Sequence, residues 1–188
     1  MKNSPILLAK NIKLTPVTNK NVDGFYQYSL NPKLYQYFEF DPFKSKKDCD
    51  DYLNKLINRS LRDDTQYWFI RETNQREKVI GSVGLIGWDK YRKSVEIGYG
   101  VSPDLWGKGI GSQSLALILK FAIEELNIHR IWATTDEYND GSIKLLSKNN
   151  FKLEGLLRDF YVYKNGKKSN SKLFSLLSSD YNDYRNMK

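Results

Sequence analysis

The sequence has very few of the residues that build disulfide or metal scaffolds. Among its 188 residues there is one cysteine, Cys49, and one histidine, His129. A single cysteine excludes an intrachain disulfide framework, which suits a reducing cytosol, and the sequence contains no cluster of metal-ligating residues. His129 stands alone before a predicted strand, so it is a poor candidate for a catalytic base, which must lie within reach of its proton.

Long apolar runs are also absent. Residues 1–9 include Ile6, Leu7 and Leu8 but lack the long apolar region and cleavage site of a secretory signal. No segment approaches the roughly 20 apolar residues that a membrane-spanning helix needs. The sequence therefore predicts a cytoplasmic protein without a membrane partner. Its length and the absence of a linker or repeat predict a single domain over residues 1–188.

Acidic residues are fewer than basic ones in this sequence. The chain has 30 lysines and arginines against 22 aspartates and glutamates, a net charge of +8. This balance favours anionic partners, among them nucleic acid, an anionic membrane surface and a phosphate-rich cofactor. The basic residues are scattered, however, and their runs are short, at residues 46–47 and 167–168. Because nucleic-acid-binding proteins cluster their charge, the distribution disfavours a nucleic-acid partner.

Hydrophobic periodicity and turn residues predict the order of the elements. In chain order they are a strand at 11–17, helices at 19–30 and 45–61, strands at 66–72, 78–88 and 93–101, a helix to about 126, a strand at 130–135, a helix at 139–149, and strands at 151–155, 160–163 and 173–177. Asn139 is the predicted N-cap of the last helix, and Asn165-Gly166 is the predicted turn of the last hairpin. This order predicts an α/β three-layer domain in which helices flank a mixed, mostly antiparallel sheet.

A glycine-rich segment between a strand and the long helix is the most informative part of the chain. Gly107, Gly109 and Gly111 lie directly before the helix. The first turn of a helix has N–H groups without internal partners, and together with the helix dipole they form an anion site. Glycines let the backbone approach a phosphate, and Lys108 adds positive charge. The segment predicts phosphate or pyrophosphate binding; the alternative is that the glycines only cap the helix.

Two common phosphate motifs do not fit this segment. A Walker loop needs Ser or Thr after its Gly-Lys pair, and here Gly107-Lys108 is followed by Gly109. A dinucleotide fingerprint needs Gly-x-Gly-x-x-Gly within an early parallel strand–helix–strand unit. Here the spacing is Gly-x-Gly-x-Gly, and three antiparallel strands are predicted to precede it.

Residues 94–111 resemble the coenzyme A segment of the GNAT acetyltransferase superfamily. The superfamily pattern Arg/Gln-x-x-Gly-x-Gly/Ala is filled here by Trp106-x-x-Gly109-x-Gly111, with a tryptophan first. A tryptophan at that place is familiar in the branch that resembles the ribosomal-protein N-terminal acetyltransferases of the RimJ/RimL type.

A second signature of the same branch follows at the expected distance. It consists of Asn139-x-x-Ser142 and then residues 151–155, with Asn150 where a glycine is usual. The resemblance covers nearly the whole chain and is weakest over residues 19–65. It implies a single GNAT-like domain that transfers an acetyl group from acetyl-coenzyme A to a primary amine by direct attack in a ternary complex.

The resemblance also implies which residues bind the cofactor. Backbone groups of Gly100 and Val101 are expected to pair with the pantetheine arm, like an added strand. The full set of expected cofactor contacts is Gly100, Val101, Trp106, Gly107, Lys108, Gly109, Ile110, Gly111, Ser112, Asn139 and Ser142.

Acetyl transfer to an amine needs a proton acceptor for the ammonium and a proton donor for the departing thiolate. Glu96 is the expected acceptor, because its strand leads into the cofactor segment and because a carboxylate there often acts through water in the enzymes that the chain resembles. Strand alternation also puts it with Gly98 and Gly100 on a face with little side-chain bulk. Its alternative is an edge or surface glutamate. Many GNAT enzymes use a tyrosine as the donor, but Leu146 occupies that position here. The branch that the chain resembles uses the serine instead, so the resemblance implies Ser142; its alternative is helix capping.

The acceptor amine is the least defined part of the prediction. Relatives acetylate protein N-termini or small amines such as polyamines, amino-sugar nucleotides and aminoglycosides. Glu39 and Trp88 are candidates to contact the substrate, although packing is the commoner role of aromatics. A non-catalytic acyl-coenzyme A-binding regulatory module and a basic RNA-associated protein are the alternatives from other classes. The sequence leaves the oligomeric state open between a monomer and a homodimer.

Overall fold

The computed structural model describes residues 4–73 and 78–181, so positions 1–3, 74–77 and 182–188 of the predicted 1–188 domain lie outside the described residues. One sheet runs through this part of the chain in the order β1-β2-β3-β4-β5-β6-β8-β7. Its strands are β1 (Leu7–Leu8), β2 (Ile12–Pro16), β3 (Gln66–Glu72), β4 (Val79–Asp89), β5 (Ser94–Val101), β6 (Arg130–Asp136), β7 (Lys152–Val162) and β8 (Lys168–Leu177). Neighbouring strands are antiparallel except for β5 and β6, which are parallel.

Helices cover both faces of this sheet. They are α1 (Val22–Ser29), α2 (Lys46–Ser60), α3 (Ile110–Lys120) and α4 (Asp140–Lys148), joined by short 3-10 turns that include Pro32–Tyr35 and Pro103–Leu105. The helices α1 and α2 pack on β3 and β4, whereas α3 contacts β2, β5 and α4 on the other face. The arrangement confirms the predicted α/β three-layer domain with a mixed, mostly antiparallel sheet. None of the helices in the described ranges combines the length and apolar character that crossing a bilayer requires.

The two layers of core follow from strand alternation. In β3, Trp68 and Ile70 point into the cluster under α3, while Tyr67 and Phe69 point into the cluster under α1 and α2. Successive side chains of a strand face opposite sides of its sheet, so a strand with helices on both faces is apolar at every position. This explains why β3 is buried almost throughout.

Several boundaries differ from the predicted ones. The strands predicted at 151–155 and 160–163 are one strand, β7, whose register with β8 shifts between Leu153 and Gly155 and again between Leu157 and Tyr161. Such bulges absorb extra residues without ending a strand, and Asp159 adopts φ 51 there. The α-helical part of the long helix ends at Lys120, and a π-helical turn continues it to Glu125.

The centre of the sheet is open at one end. The parallel strands β5 and β6 pair only where Ser94–Glu96 lies beside Arg130–Trp132. Beyond that point β5 continues to Val101 and β6 to Asp136 without pairing to each other. The glycine segment follows the end of β5, and α4 follows the end of β6, so both predicted motifs meet at this opening.

Candidate active site

The opening between β5 and β6 exposes a strand edge. Residues Ile97–Val101 of β5 pair with β4 on one side and have no ladder to β6 on the other. An unpaired strand edge can accept an extended ligand as an added strand. Gly100 and Val101, the expected pantetheine contacts, lie on this stretch.

The glycine segment forms an uncapped helix start beside that edge. Gly109 is the N-cap of α3 with φ 80 and ψ 0, and no side chain caps the helix. The first helical bond runs from the Gln113 N–H to the Gly109 carbonyl at 3.0 Å, so the N–H groups of residues 110–112 precede it. Helix geometry leaves these N–H groups without internal partners, and they form a site for an anion.

The loop in front of α3 faces open space. Gly107 has φ 76, and a Cβ built there meets no heavy atom within 4 Å. A Cβ built on Gly109 meets only the Gln113 side chain, at 3.9 Å. Positive φ values favour glycine, and the lack of side chains leaves room for a phosphate against the backbone. The residues present therefore fit the diphosphate of coenzyme A.

The other members of the motif have structural partners. Trp106 is half exposed, and its Nε1–H donates to the Val101 carbonyl at 2.8 Å, which ties the loop back to β5. A Cβ on Gly111 would lie 2.9 Å from Leu145 Cδ2, so this glycine lets α3 pack closely on α4. Lys108 is exposed beside the helix start and makes a backbone bond to Leu105.

Glu96 lies where β5 and β6 separate. Glu96 lies directly opposite Ile86 in the ladder between β5 and β4. The Ile86 side chain belongs to the cluster under α1 and α2, so the Glu96 side chain faces the side of the sheet that carries these two helices. Among the residues that the structure describes, none donates a hydrogen bond to its carboxylate, and burial raises the pKa of that carboxyl above its ordinary value. Val95 and Ile97 are buried on the opposite face, as strand alternation predicts.

Ser142 is held at the start of α4 by two separate bonds. Its N–H donates to Asn139 Oδ1 at 3.1 Å, which confirms Asn139 as the N-cap. Its hydroxyl lies 2.8 Å from the hydroxyl of Tyr99 on β5. The cap is therefore made by Asn139, and the Ser142 side chain is left for a different contact. Burial raises the pKa of Tyr99, so its hydroxyl stays protonated.

Tyr99 was not singled out by sequence reasoning. Its place in the alternation with Val95 and Ile97 assigns it to the core, and its body is indeed packed against the cluster under α3. The only available signal is chemical, since a buried tyrosine usually finds a partner for its hydroxyl.

A cavity of about 590 Å³ lies beside the carboxyl end of β6. We call it the aromatic groove; it is bounded by Pro32 and residues 35–42, by Asp136 at the end of β6 and Tyr138 after it, and by the turn between β7 and β8. Three polar contacts join residues 35–42 to the other walls of the groove. Tyr37 Oη donates to the Tyr138 carbonyl at 2.9 Å, and Glu39 Oε1 accepts from the Val162 N–H at 3.1 Å. Lys164 Nζ pairs with Asp41 Oδ2 at 2.9 Å.

Acidic groups line the end of the groove nearest the opening. Asp136 is 3% exposed and accepts hydrogen bonds from the Tyr163 hydroxyl and the Tyr138 N–H. The pKa of Tyr161 is raised by burial first and then by the charges of Glu96 and Asp136, so both carboxylates are near enough to act on its hydroxyl. Glu39 and Asp136 are the acids of the groove besides Asp41, and Glu96 lies outside its lining.

Trp88, the second predicted substrate contact, lies elsewhere. It is near the end of β4, where its N–H donates to the Asp64 carbonyl at 2.7 Å. Its indole packs against the cluster under α3, and it does not line the aromatic groove. The structure therefore brings Glu39 and Glu96 to one side of the sheet and leaves Trp88 apart from them.

Comparison with known proteins gives one consistent match. Residues 11–152 match the family described as the acetyltransferase (GNAT) domain. The uncharacterized N-acetyltransferase p20 of Bacillus licheniformis is 30% identical over 177 residues, which cover 93% of this chain and 97% of that protein. The spermidine N(1)-acetyltransferase of Escherichia coli K12 is 22% identical over 174 residues, covering 92% and 89%. The RimL ribosomal L7/L12 alpha-N-protein acetyltransferase in complex with coenzyme A superposes with a TM-score of 0.83 at 21% identity, covering 92% of this chain and 98% of that chain.

Proposed function

This chain belongs to the GNAT acetyltransferase family, its acyl donor is acetyl-coenzyme A, and we propose that it acetylates a primary amine by direct attack in a ternary complex. The amine belongs to a small molecule or to a protein N-terminus. The observation that supports this most is the meeting of three features at the opening between β5 and β6: the uncapped start of α3, the half-buried Glu96 carboxylate, and the Tyr99–Ser142 pair.

The donor site uses backbone groups more than side chains. The N–H groups of residues 110–112 and the bare backbone of Gly107 and Gly109 bind the diphosphate, and Lys108 adds charge. Gly100 and Val101 bind the pantetheine arm along the free edge of β5. Asn139 keeps its Nδ2–H₂ group available, because its Oδ1 is the helix cap. Acetyl-coenzyme A supplies the acetyl thioester when bound there.

Glu96 removes the proton from the incoming ammonium, directly or through a water. An unperturbed primary ammonium has a pKa near 10, so little free amine exists at neutral pH. Burial without a hydrogen-bond donor destabilises the carboxylate and raises its proton affinity, which brings the two pKa values closer together. Glu96 faces the side of the sheet that carries α1 and α2, whereas Tyr99 packs on the side that carries α3, so the proton acceptor and the proton donor serve the reaction from different faces.

Ser142 Oγ donates a proton or a hydrogen bond to the departing sulfur, and Tyr99 supports it through a hydrogen bond to the same oxygen. As Ser142 donates, Tyr99 Oη donates to Ser142 Oγ across their 2.8 Å contact. Tyr99 remains a donor at neutral pH because burial holds its pKa high. This pairing lets a serine do what a single tyrosine does in many relatives.

The test separates an enzyme from a binding module. Acetyl-coenzyme A should raise the melting temperature, because a ligand that binds only the folded state stabilises it, while NAD and ATP should raise it much less. Incubation with a panel of amines, followed by mass spectrometry, should then show acceptors heavier by one acetyl group. Stabilisation by the donor without any acetylated amine would favour the non-catalytic acyl-coenzyme A-binding module, and an equal shift with ATP would contradict the donor site itself.

A further inference from the structure

A larger cavity of about 700 Å³ adjoins the aromatic groove. We call it the α2 cleft; it lies between residues 40–44, α2 and its C-terminal end, and Lys164. The cleft and the groove share residues 40–42 and Lys164 as common walls. A molecule with its amine in the groove therefore has the α2 cleft as the next space for the rest of its length.

Unpaired positive charge surrounds this cleft. Its lining includes Lys44, Lys55, Arg59 and Arg62. In the part of the chain that the structure describes, no acid forms an ion pair with any of the four. Of the two acids in the lining, Asp41 is paired with Lys164, and Asp48 accepts the Lys44 N–H at 3.2 Å.

Neighbouring lysines on the same helix behave differently. Lys46 pairs with Asp23, and Lys47 pairs with Asp51 at 2.7 Å; neither lines the cleft. The basic residues of α2 outside the cleft are thus neutralised locally, whereas those inside it are not. Unpaired cations around a concave surface create a positive potential that favours an anion.

The floor of the cleft is aromatic and neutral. Phe40, Phe43 and Tyr52 pack against one another, with ring centroids of Phe43 and Tyr52 5.2 Å apart. Burial raises the pKa of Tyr52 to about 12, so the floor contributes no negative charge at neutral pH. Aromatic surface below a basic rim suits an anionic group attached to carbon.

The groove and the α2 cleft differ in the charges that line them. The acids Glu39 and Asp136 line the groove together with Lys164 and Lys167, whereas within the described ranges the α2 cleft has four unpaired cations and no acid that pairs with them. An acceptor with an ammonium at one end and negative charge at the other is oriented by this difference with its amine in the groove. A polyamine carries positive charge along its whole length and would place an ammonium among like charges, which costs affinity.

Building on the proposed function, we infer that the acceptor is a primary amine whose remote end carries carboxylate or phosphate groups, bound in the α2 cleft. Small phosphorylated amines and acidic peptides that begin with a free amine share this chemistry. Spermidine, the substrate in the name of one relative, lacks it.

The inference is tested with matched acceptors. Two peptides of equal length and the same first residue, one with aspartates and one with lysines at the following positions, are compared with phosphoethanolamine and spermidine. We expect kcat/KM for the acidic peptide to exceed that for the basic peptide by roughly tenfold or more, and the difference to shrink as salt is added. The phosphoethanolamine arm shows whether a small anion is enough or whether a peptide is needed. A higher kcat/KM for spermidine or the basic peptide overturns the inference.

Variants locate the effect. Arg59→Gln combined with Arg62→Gln should raise KM for the acidic peptide about tenfold and lower KM for spermidine, with kcat for the acidic peptide nearly constant. Lys47→Gln removes one charge from the same helix outside the cleft and should leave every KM unchanged. Equal effects of the two sets of substitutions would contradict the cleft.

Binding is measured separately from turnover. Calorimetry with the acidic and basic peptides, in the presence of coenzyme A, should show tighter binding of the acidic peptide to the wild-type protein than to the double variant. The binding measurement tests the cleft even if no amine is acetylated. In that case the proposed function is contradicted, and tighter binding of the acidic peptide alone decides whether the cleft prefers anions.

Discussion

The hydroxyl oxygens of Tyr99 and Ser142 lie 2.8 Å apart, although the residues are 43 positions apart in the chain. The contact joins the free end of β5 to the first turn of α4, across the end of the sheet that is open. Ser142 does not cap its helix, because Asn139 does, so the serine hydroxyl has Tyr99 as its partner.

Replacing Tyr99 with phenylalanine removes the second hydroxyl and keeps the ring. We expect kcat to fall roughly tenfold, less than the 10²-fold lower end for losing a general acid, because Ser142 still donates. Ser142→Ala should cost more than Tyr99→Phe. The double variant should be no slower than Ser142→Ala, since Tyr99 acts through Ser142. Steady-state kinetics decide this, and fully additive losses would show that the two residues act independently.

Replacing Glu96 with glutamine keeps the shape and removes the base. Turnover at pH 7 should fall by roughly 10²-fold, with the affinity for acetyl-coenzyme A nearly unchanged. Part of the rate should return at high pH, where free amine is already present. The measurements are pH–rate profiles with the true acceptor and donor binding by calorimetry. Wild-type turnover of Glu96→Gln at pH 7 would assign the proton to another residue or to a chain of waters.

The same substitution should change stability in a pH-dependent way. The pKa of Glu96 is raised in the folded state, so the folded protein holds this proton more tightly than the unfolded chain does. The resulting contribution to the free energy of unfolding is complete below the unfolded pKa of about 4.3 and is lost as pH rises through the raised value. Glu96→Gln is neutral at every pH, so its Tm should exceed the wild-type Tm at pH 7, and the gap should close on acidification. A gap that does not vary with pH would indicate a packing effect.

Gly109→Glu tests the anion site at the start of α3. A side chain there enters the open space before the helix, and its charge repels a diphosphate. We expect the affinity for acetyl-coenzyme A to drop roughly tenfold, on the order of 1.4 kcal/mol. Gly87→Glu is the matched control, because Gly87 also has a positive φ, 63, and open space around its Cβ, but lies in β4 away from the loop. The control should lower Tm by a similar amount without weakening donor binding; equal loss of affinity in both variants would place the diphosphate elsewhere.

Local signals were enough to predict most of the fold. The limits of β3, the Asn139 cap and the Asn165-Gly166 hairpin depend on a few neighbouring residues, and the structure confirms them. The loop glycines Gly107 and Gly109 adopt the positive φ values that their spacing before a helix suggests.

Features that depend on distant contacts could not be predicted. The bulges in β7 result from its register against β8, and the polar pair Arg158-Asp159 resembles a turn when the strand is considered alone. Trp88 is a candidate substrate contact because it begins a loop between two strands, and only the folded chain shows that its indole packs against the core cluster under α3. The unpaired state of Arg59 and Arg62 is equally invisible in the sequence, where acids stand close to them.

The three residue pairs between β5 and β6 have a consequence for how the protein opens. They are the only ladder rungs that join β1–β5 to β6–β8 within the described sheet. The halves share the core cluster under α3, but amide exchange by local opening can differ between them because few backbone hydrogen bonds join them. A donor lying along both strand ends would add a bridge where the ladder is missing. Slowed exchange in β6 and β8 as well as in β5 would then report a filled opening, even though β8 touches no part of the donor.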